Sequence, residues 1–141
     1  MEGFNVVVPV EVTFRDTDAM GHANNAVYLT WFENGRIGYW RRMDGEGADY
    51  AAVPYVLARA EVDFRAPAHV GERLQLGVRL ARIGGRSFDF RYRLERAKDG
   101  VLLAEGHTVQ VMYDHRAARS SDRPADFRRR LIAIDGEPGE D

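Results

Sequence analysis

Phe14-Arg15-Asp16-Thr17-Asp18-Ala19-Met20-Gly21-His22-Ala23-Asn24-Asn25, with the segment that follows from Ala26 to Met43, decides the fold of this 141-residue chain. The first part is polar, holds a glycine and two asparagines, and has neither helical nor strand periodicity, so it reads as a loop. The second part contains no proline, and Val27, Tyr28, Leu29, Trp31, Phe32, Ile37, Tyr39, Trp40 and Met43 cover most of a helical circumference. Such a pattern predicts a long helix that is largely buried. Asn24 or Asn25 suits its N-cap, and Arg41 and Arg42 fall where the helix dipole favours cations.

Outward from that helix the period changes. Val6 to Phe14 is rich in β-branched residues and predicts a strand, with Pro9 marking an edge or a bulge. Gly45 to Pro54 reads as a second loop with freedom to move. Beyond it Val56, Ala58, Ala60, Val62 and Phe64 alternate with polar residues, as do Leu74 to Leu80 and Phe88 to Leu94. Gly84-Gly85 and Asp99-Gly100 stand where hairpin turns call for positive φ. A last strand is expected from Leu102 to Tyr113 and a short helix from Pro124 to Ile134. A helix apolar nearly all round cannot lie on a surface, so the simplest packing is α+β, with one antiparallel sheet of five strands curled around it. Arg79, Arg91, Arg93 and Glu95 then face solvent, and an edge strand is left to pair with another subunit. Residues 1–135 are expected to form one domain and 136–141 an acidic tail that frays.

Composition narrows the function. With 20 basic and 22 acidic side chains and a formal charge of −2, the chain lacks the basic excess that sequence-independent nucleic-acid binding needs. No apolar run is long enough for a membrane span, and the first residues lack the basic lead-in of a signal peptide, so no membrane partner and a cytoplasmic location are expected. The absence of cysteine excludes a thiolate nucleophile, a disulfide framework and Cys-ligated metal. His22, His69, His107 and His115 show no metal-ligand spacing, and no P-loop, dinucleotide fingerprint or G-x-S-x-G elbow occurs. Lys98 is the only lysine. The arginine bias reflects either nucleotide composition or a local anion site.

The chemistry concentrates in the loop, where Asp16, Asp18, His22, Asn24 and Asn25 precede a helix N-terminus. Unpaired N–H groups there can hold an oxyanion while a carboxylate attacks a carbonyl or activates water. The alternative is structural, with the aspartates shaping a turn and Asn25 capping the helix.

The run from Phe14 to Tyr28, with Phe32-Glu33 and Arg36 beyond, resembles the signature of the hotdog-fold acyl-CoA thioesterases of the 4-hydroxybenzoyl-CoA thioesterase type. Val62-Asp63-Phe64-Arg65-Ala66-Pro67-Ala68 with Val70-Gly71-Glu72, and the hairpin Arg82 to Phe88, are similar to later segments of that family, so the resemblance covers roughly Val10 to Tyr113. It implies a hotdog fold, a five-stranded antiparallel sheet wrapped around a long central helix, assembled as a homodimer or homotetramer with sites at the subunit interface.

The resemblance further implies that Asp18 is the catalytic carboxylate, as nucleophile or general base, and that Asp16 is structural. It places the oxyanion donor at the Asn25 backbone amide. His22 and Asn24 resemble the G-H-x-N-N form of fatty-acyl thioesterases, where the histidine orients water or thioester; fixing the loop is the alternative role for His22. Plant acyl carrier protein thioesterases carry an asparagine where this chain has Met20, so a mechanism through that amide is not expected. Arg82 and Arg86 flank the turn where the family meets the phosphates of coenzyme A, with Arg65 a further candidate and Asn24 a substrate contact. Glu33 either stands near the site or pairs with Arg36 along the helix. Coenzyme A enters only as part of the substrate, and no cofactor or metal is expected. The expected activity is hydrolysis of acyl-CoA to free acid and CoA. A non-catalytic acyl-CoA-binding module and hydrolysis of acyl carrier protein thioesters are the alternatives.

Overall fold

The long helix forms where the apolar pattern predicts it. In the computed structural model, which describes residues 1–45 and 47–139, strand β1 (Val6–Glu11) is followed by helix α1 (Val27–Asp44). Tyr28, Trp31, Phe32, Tyr39 and Trp40 are all buried on α1. An interior glycine costs a helix about 1 kcal/mol relative to alanine, yet α1 carries Gly35 and Gly38. A Cβ at Gly35 would stand 2.6 Å from Val78 Cγ2 and 2.9 Å from Leu76 Cδ2, and one at Gly38 would collide with Val8. The two glycines let the α1 backbone lie flush against the sheet.

That sheet comprises β1, β2 (Tyr55–Phe64), β3 (Arg73–Ile83), β4 (Ser87–Arg96) and β5 (Leu102–Asp114) in the order β1-β3-β4-β5-β2, with every neighbouring pair antiparallel. A two-residue strand β6 (Arg119–Ser120) adds to the five expected strands by pairing with the end of β5. Leu74, Leu76, Val78 and Leu80 on β3 and Phe88, Phe90, Tyr92 and Leu94 on β4 are buried beneath α1, as their period of two requires. Pro9 sits on edge strand β1, where the missing N–H does no harm.

Two sequence expectations are corrected. Ala58 forms a bulge between Leu57 and Arg59, which reverses the phase of β2 and puts Leu57, opposite Gln110, on the inner face. Gly84 and Gly85 do not take positive φ, although Gly100 does (72°). The β3–β4 turn closes through the Gly84 N–H and the Ser87 carbonyl, and a Cβ at Gly84 would stand 2.8 Å from Ser87 Oγ.

Helix α2 (Phe127–Asp135) buries Phe127 and Leu131 against the core. The Asp135 carboxylate receives the Tyr39 hydroxyl and the Leu80 N–H, both at 2.8 Å, and so ties α2 to α1 and to the bulge of β3. Burial, reinforced by Asp135, pushes the Tyr39 hydroxyl pKa far up, so it remains a donor. In the acidic tail Glu137 pairs with Arg128, while Glu140 and Asp141 lie outside the described residues. No described helix is long and apolar enough to cross a membrane.

Helix α1 packs on β1 and β3, which leaves the inner face of β2 half open. Leu57 and Phe64 are 43% and 46% exposed there. Gly35→Ala is expected to destabilise the protein by on the order of 1 kcal/mol in urea unfolding, because overpacking against buried Val78 outweighs the helix-propensity gain.

Candidate active site

The loop between β1 and α1 is fixed almost entirely by its own backbone. Asp16 accepts the Thr13 N–H at 2.8 Å and the Thr13 hydroxyl at 2.9 Å, and its carbonyl receives the Asn24 N–H at 2.7 Å. The Asp18 N–H donates to the His22 carbonyl, the Gly21 N–H donates back to the Asp18 carbonyl, and Gly21 turns the chain with φ of 78°. Ala23 is buried and donates to the Ala68 carbonyl at 2.8 Å, which docks this loop on the one after β2.

These bonds hold the Asp18 side chain half-exposed at the loop's rim. Its Oδ1 receives the Met20 N–H at 2.9 Å, and Oδ2 has no partner among the described residues. The helix start is arranged differently from a simple side-chain cap at Asn25. Asn24 Oδ1 accepts the Ala26 N–H at 2.9 Å and the Asn24 carbonyl accepts the Val27 N–H at 3.0 Å. Asn24 therefore satisfies the two donors that follow Asn25, and the Asn25 N–H donates to no described residue. An unpaired amide at the positive end of an 18-residue helix attracts developing negative charge.

Asp18, Met20, His22, Asn25, Tyr28 and Phe64 meet in one cleft of about 290 Å³, with Arg65 at its rim. A larger hollow of about 520 Å³ lies on the outer face of the sheet, lined by Arg79, Arg93, Glu105 and His107. The smaller cleft is the candidate site because, among the described residues, it is lined both by Asp18, with a carboxylate oxygen that has no partner, and by Asn25, whose N–H at the helix start has none. The His22 ring packs edge-on against His69, with centroids 5.0 Å apart, and the loop-fixing bonds at His22 are made by its backbone. Arg65 pairs with Glu105 at 3.1 Å.

Other sequence-predicted residues are not brought here. Asn24 turns its amide to the helix backbone. Arg82 and Arg86 lie at the far end of β3, roughly 30 Å of strand from the loop, and Arg86 pairs with Asp122 at 2.9 Å. Arg36 does not pair with Glu33: it turns beneath the helix and donates to Tyr92 Oη at 3.2 Å. Two lining residues escape the sequence reading, Tyr28 and Phe64, whose rings meet edge-on with centroids 4.9 Å apart. The helical period groups Tyr28 with the core, and it is indeed 2% exposed. Burial raises its hydroxyl pKa, with a backbone bond at Ala68 opposing and Glu72 reinforcing the rise, so it stays protonated at neutral pH.

A family model described as the thioesterase-like superfamily matches residues 12–131. The chain belongs to that superfamily and is a thioester hydrolase. A thioesterase from Thermus thermophilus, solved in complex with coenzyme A and zinc, is 36% identical and superposes with a TM-score of 0.86 over 98% of this chain and 100% of that one. The acyl-CoA thioester hydrolase YbgC of Escherichia coli O6:H1 is 28% identical over 75% of this chain and 80% of its own length. A 1,4-dihydroxy-2-naphthoyl-CoA thioesterase from Synechocystis, 21% identical, shares the fold with a TM-score of 0.80 over 92% of this chain and 97% of that one. These neighbours are thioesterase hotdog folds, the architecture found here. No group of three or more His, Asp or Glu side chains among the described residues is placed to hold a metal ion.

Glu72 braces the loop on which the site rests: it accepts the His69 N–H at 2.6 Å and faces Arg96 at 2.6 Å. Burial pushes its pKa up, but the His69 bond and Arg96 outweigh burial and hold it below the ordinary carboxylate range. A depressed carboxylate stabilises the fold above its unfolded pKa and ceases to do so as the pH falls through its folded value. Glu72→Gln is therefore expected to lower stability by about 1–2 kcal/mol at neutral pH. In urea titrations the gap to the wild type should close only below about pH 4.

Proposed function

We propose that the protein hydrolyses acyl-CoA thioesters to free acid and CoA, with Asp18 as nucleophile or general base and the Asn25 amide as oxyanion donor. The observation that carries this reading is the cleft shared by a carboxylate with one free oxygen and a helix-terminal N–H with no partner. As nucleophile, Asp18 bonds to the thioester carbon and the C–S bond breaks to release thiolate; water then cleaves the acyl-aspartate anhydride. As base, Asp18 takes a proton from water, hydroxide adds to the carbonyl, and that proton passes to the leaving sulfur. Either path builds charge on the carbonyl oxygen, where a preorganised N–H contributes about 3 kcal/mol to the barrier reduction. His22 stands in the same cleft to orient water or thioester.

A second copy of the chain is part of this proposal. The free edge of β2 and its exposed Leu57 and Phe64 favour antiparallel pairing of β2 with itself. A two-fold axis across that edge would set the Tyr55 end of one copy beside the Phe64 end of the other. The Arg82–Arg86 hairpin, which borders the Tyr55 end, would then reach the cleft of the opposite copy and offer its guanidinium groups to the phosphates of CoA.

The test is free-thiol release from a panel of aliphatic and aromatic acyl-CoAs, with the same acyl groups on acyl carrier protein alongside. Turnover of the CoA thioesters is expected, and Arg86→Ala should raise KM for them roughly tenfold with kcat little changed. Tight acyl-CoA binding with no thiol released over hours would establish a binding module instead.

A further inference from the structure

His69 falls between the segments Val62–Ala68 and Val70–Glu72 and belongs to neither, yet the fold sets its ring against the candidate site. Its N–H donates to Glu72 Oε1 at 2.6 Å, and its Nδ1 meets the same oxygen at 3.3 Å. Burial alone would raise the Glu72 pKa, but the His69 bonds and Arg96 bring it below the ordinary range, so Glu72 is ionised at neutral pH. An ionised carboxylate only accepts, so His69 Nδ1 carries the proton. Glu72 Oε2 faces Arg96 at 2.6 Å, and Arg96 is held in turn by Asp99 at 2.8 Å. A chain of contacts thus runs from the β4–β5 turn to the His69 ring, and anchors an imidazole that is half-exposed.

What this anchored ring touches is His22. The two rings meet edge-on, with centroids 5.0 Å apart and planes at 88°, where their backbones form an antiparallel bridge. His22 lines the Asp18 cleft. Its main chain is committed, the carbonyl accepting the Asp18 N–H at 2.9 Å, but its imidazole makes no hydrogen bond to a described residue. A histidine that orients water or a thioester needs a fixed ring and free nitrogens together. Support from a carboxylate or a carbonyl fixes the ring by occupying one nitrogen. An edge-on ring contact holds it and occupies neither.

We infer that His69 is the positioning residue for His22, holding that imidazole in the cleft by ring contact with both of its nitrogens left available, while Glu72, Arg96 and Asp99 hold His69. The inference rests on the hydrolase reading above and on the action of His22 within it. His69 itself does not line the cleft, so its effect passes through His22 and falls on kcat rather than on KM. An edge-on aromatic contact is strong enough to shift the competent fraction of His22 rotamers several-fold.

The test is thiol release from the acyl-CoA that the wild type turns over fastest, with His69→Ala, His69→Gln, His69→Phe, His22→Ala and the double variant of His22→Ala with His69→Ala. His69→Ala and His69→Gln should lower kcat about three- to tenfold with KM within about twofold, since glutamine can still reach Glu72 but offers no ring. His69→Phe keeps the ring, gives up the Glu72 side-chain bond, and should recover most of kcat. On the His22→Ala background, His69→Ala should cost nothing further, because a positioning residue has no effect without the group it positions. The backbone bond from residue 69 to Glu72 survives each of these substitutions, and unfolding midpoints check that the variants are folded. A His69→Ala protein with kcat within about twofold of the wild type overturns the inference and leaves the hydrolase reading standing. So do losses that add in the double variant, a His69→Phe protein no better than His69→Ala, or a His22→Ala protein with wild-type kcat. Failure to release thiol from any CoA thioester removes the hydrolase reading and the inference with it.

Discussion

The backbone of α1 lies flush on β1 and β3, and the rest of the molecule follows from that contact. Gly35 and Gly38 permit it by offering no side chain to Val78, Leu76 and Val8. A helix held so close on one half of the sheet leaves the other half, over β5 and β2, for Phe32, Arg36 and an open strip of β2. It also fixes the height of the helix N-terminus above the sheet end, where the loops before α1 and after β2 are stitched together through Ala23 and Ala68. Packing at the middle of the helix thus determines where an unpaired amide stands at its start.

The site itself depends on a division of labour among similar residues. Of two aspartates two positions apart, Asp16 commits its carboxylate to Thr13, and Asp18 keeps an oxygen free. Of two adjacent asparagines, Asn24 satisfies the backbone donors of Ala26 and Val27, and the Asn25 N–H has no partner among the described residues. Each pair combines a residue that holds the geometry with one that is left chemically available. The preorganisation costs little because the loop's hydrogen bonds are mostly local and main-chain, so the open carboxylate and amide are not supported by a buried polar network that would need full satisfaction.

Much of this was legible in the sequence. The period of 3.6 gave way to a period of two at the observed boundary, and the aromatic residues of the helix required a sheet to cover them, although the helix is less buried than its pattern predicts, with Leu29, Thr30, Glu33 and Asn34 exposed. The concentration of polar and acidic residues in the loop was visible in residue type and spacing, and its resemblance to thioesterases agrees with the superfamily to which the chain belongs. What the pattern hid were features set by tertiary contact. The bulge at Ala58 reversed the phase of β2 and turned Leu57 inward. The glycines of the β3–β4 turn do not take positive φ, and Gly84 alone of the two lies close to a neighbour, the Ser87 side chain. Arg36, three positions after Glu33, had the spacing of a surface ion pair but turned beneath the helix. Arg82 and Arg86 are far from Asp18 within the chain, because strand direction places them at the other end of the sheet.

The central claim is that the free oxygen of Asp18 carries out the chemistry. The most direct measurement is kcat for thiol release by Asp18→Asn, taken with its urea unfolding curve. Asparagine preserves size and can still accept the Met20 N–H, so the fold should keep its wild-type midpoint while kcat falls at least about 100-fold. A variant that remains folded and turns over acyl-CoA at near the wild-type rate would contradict the account.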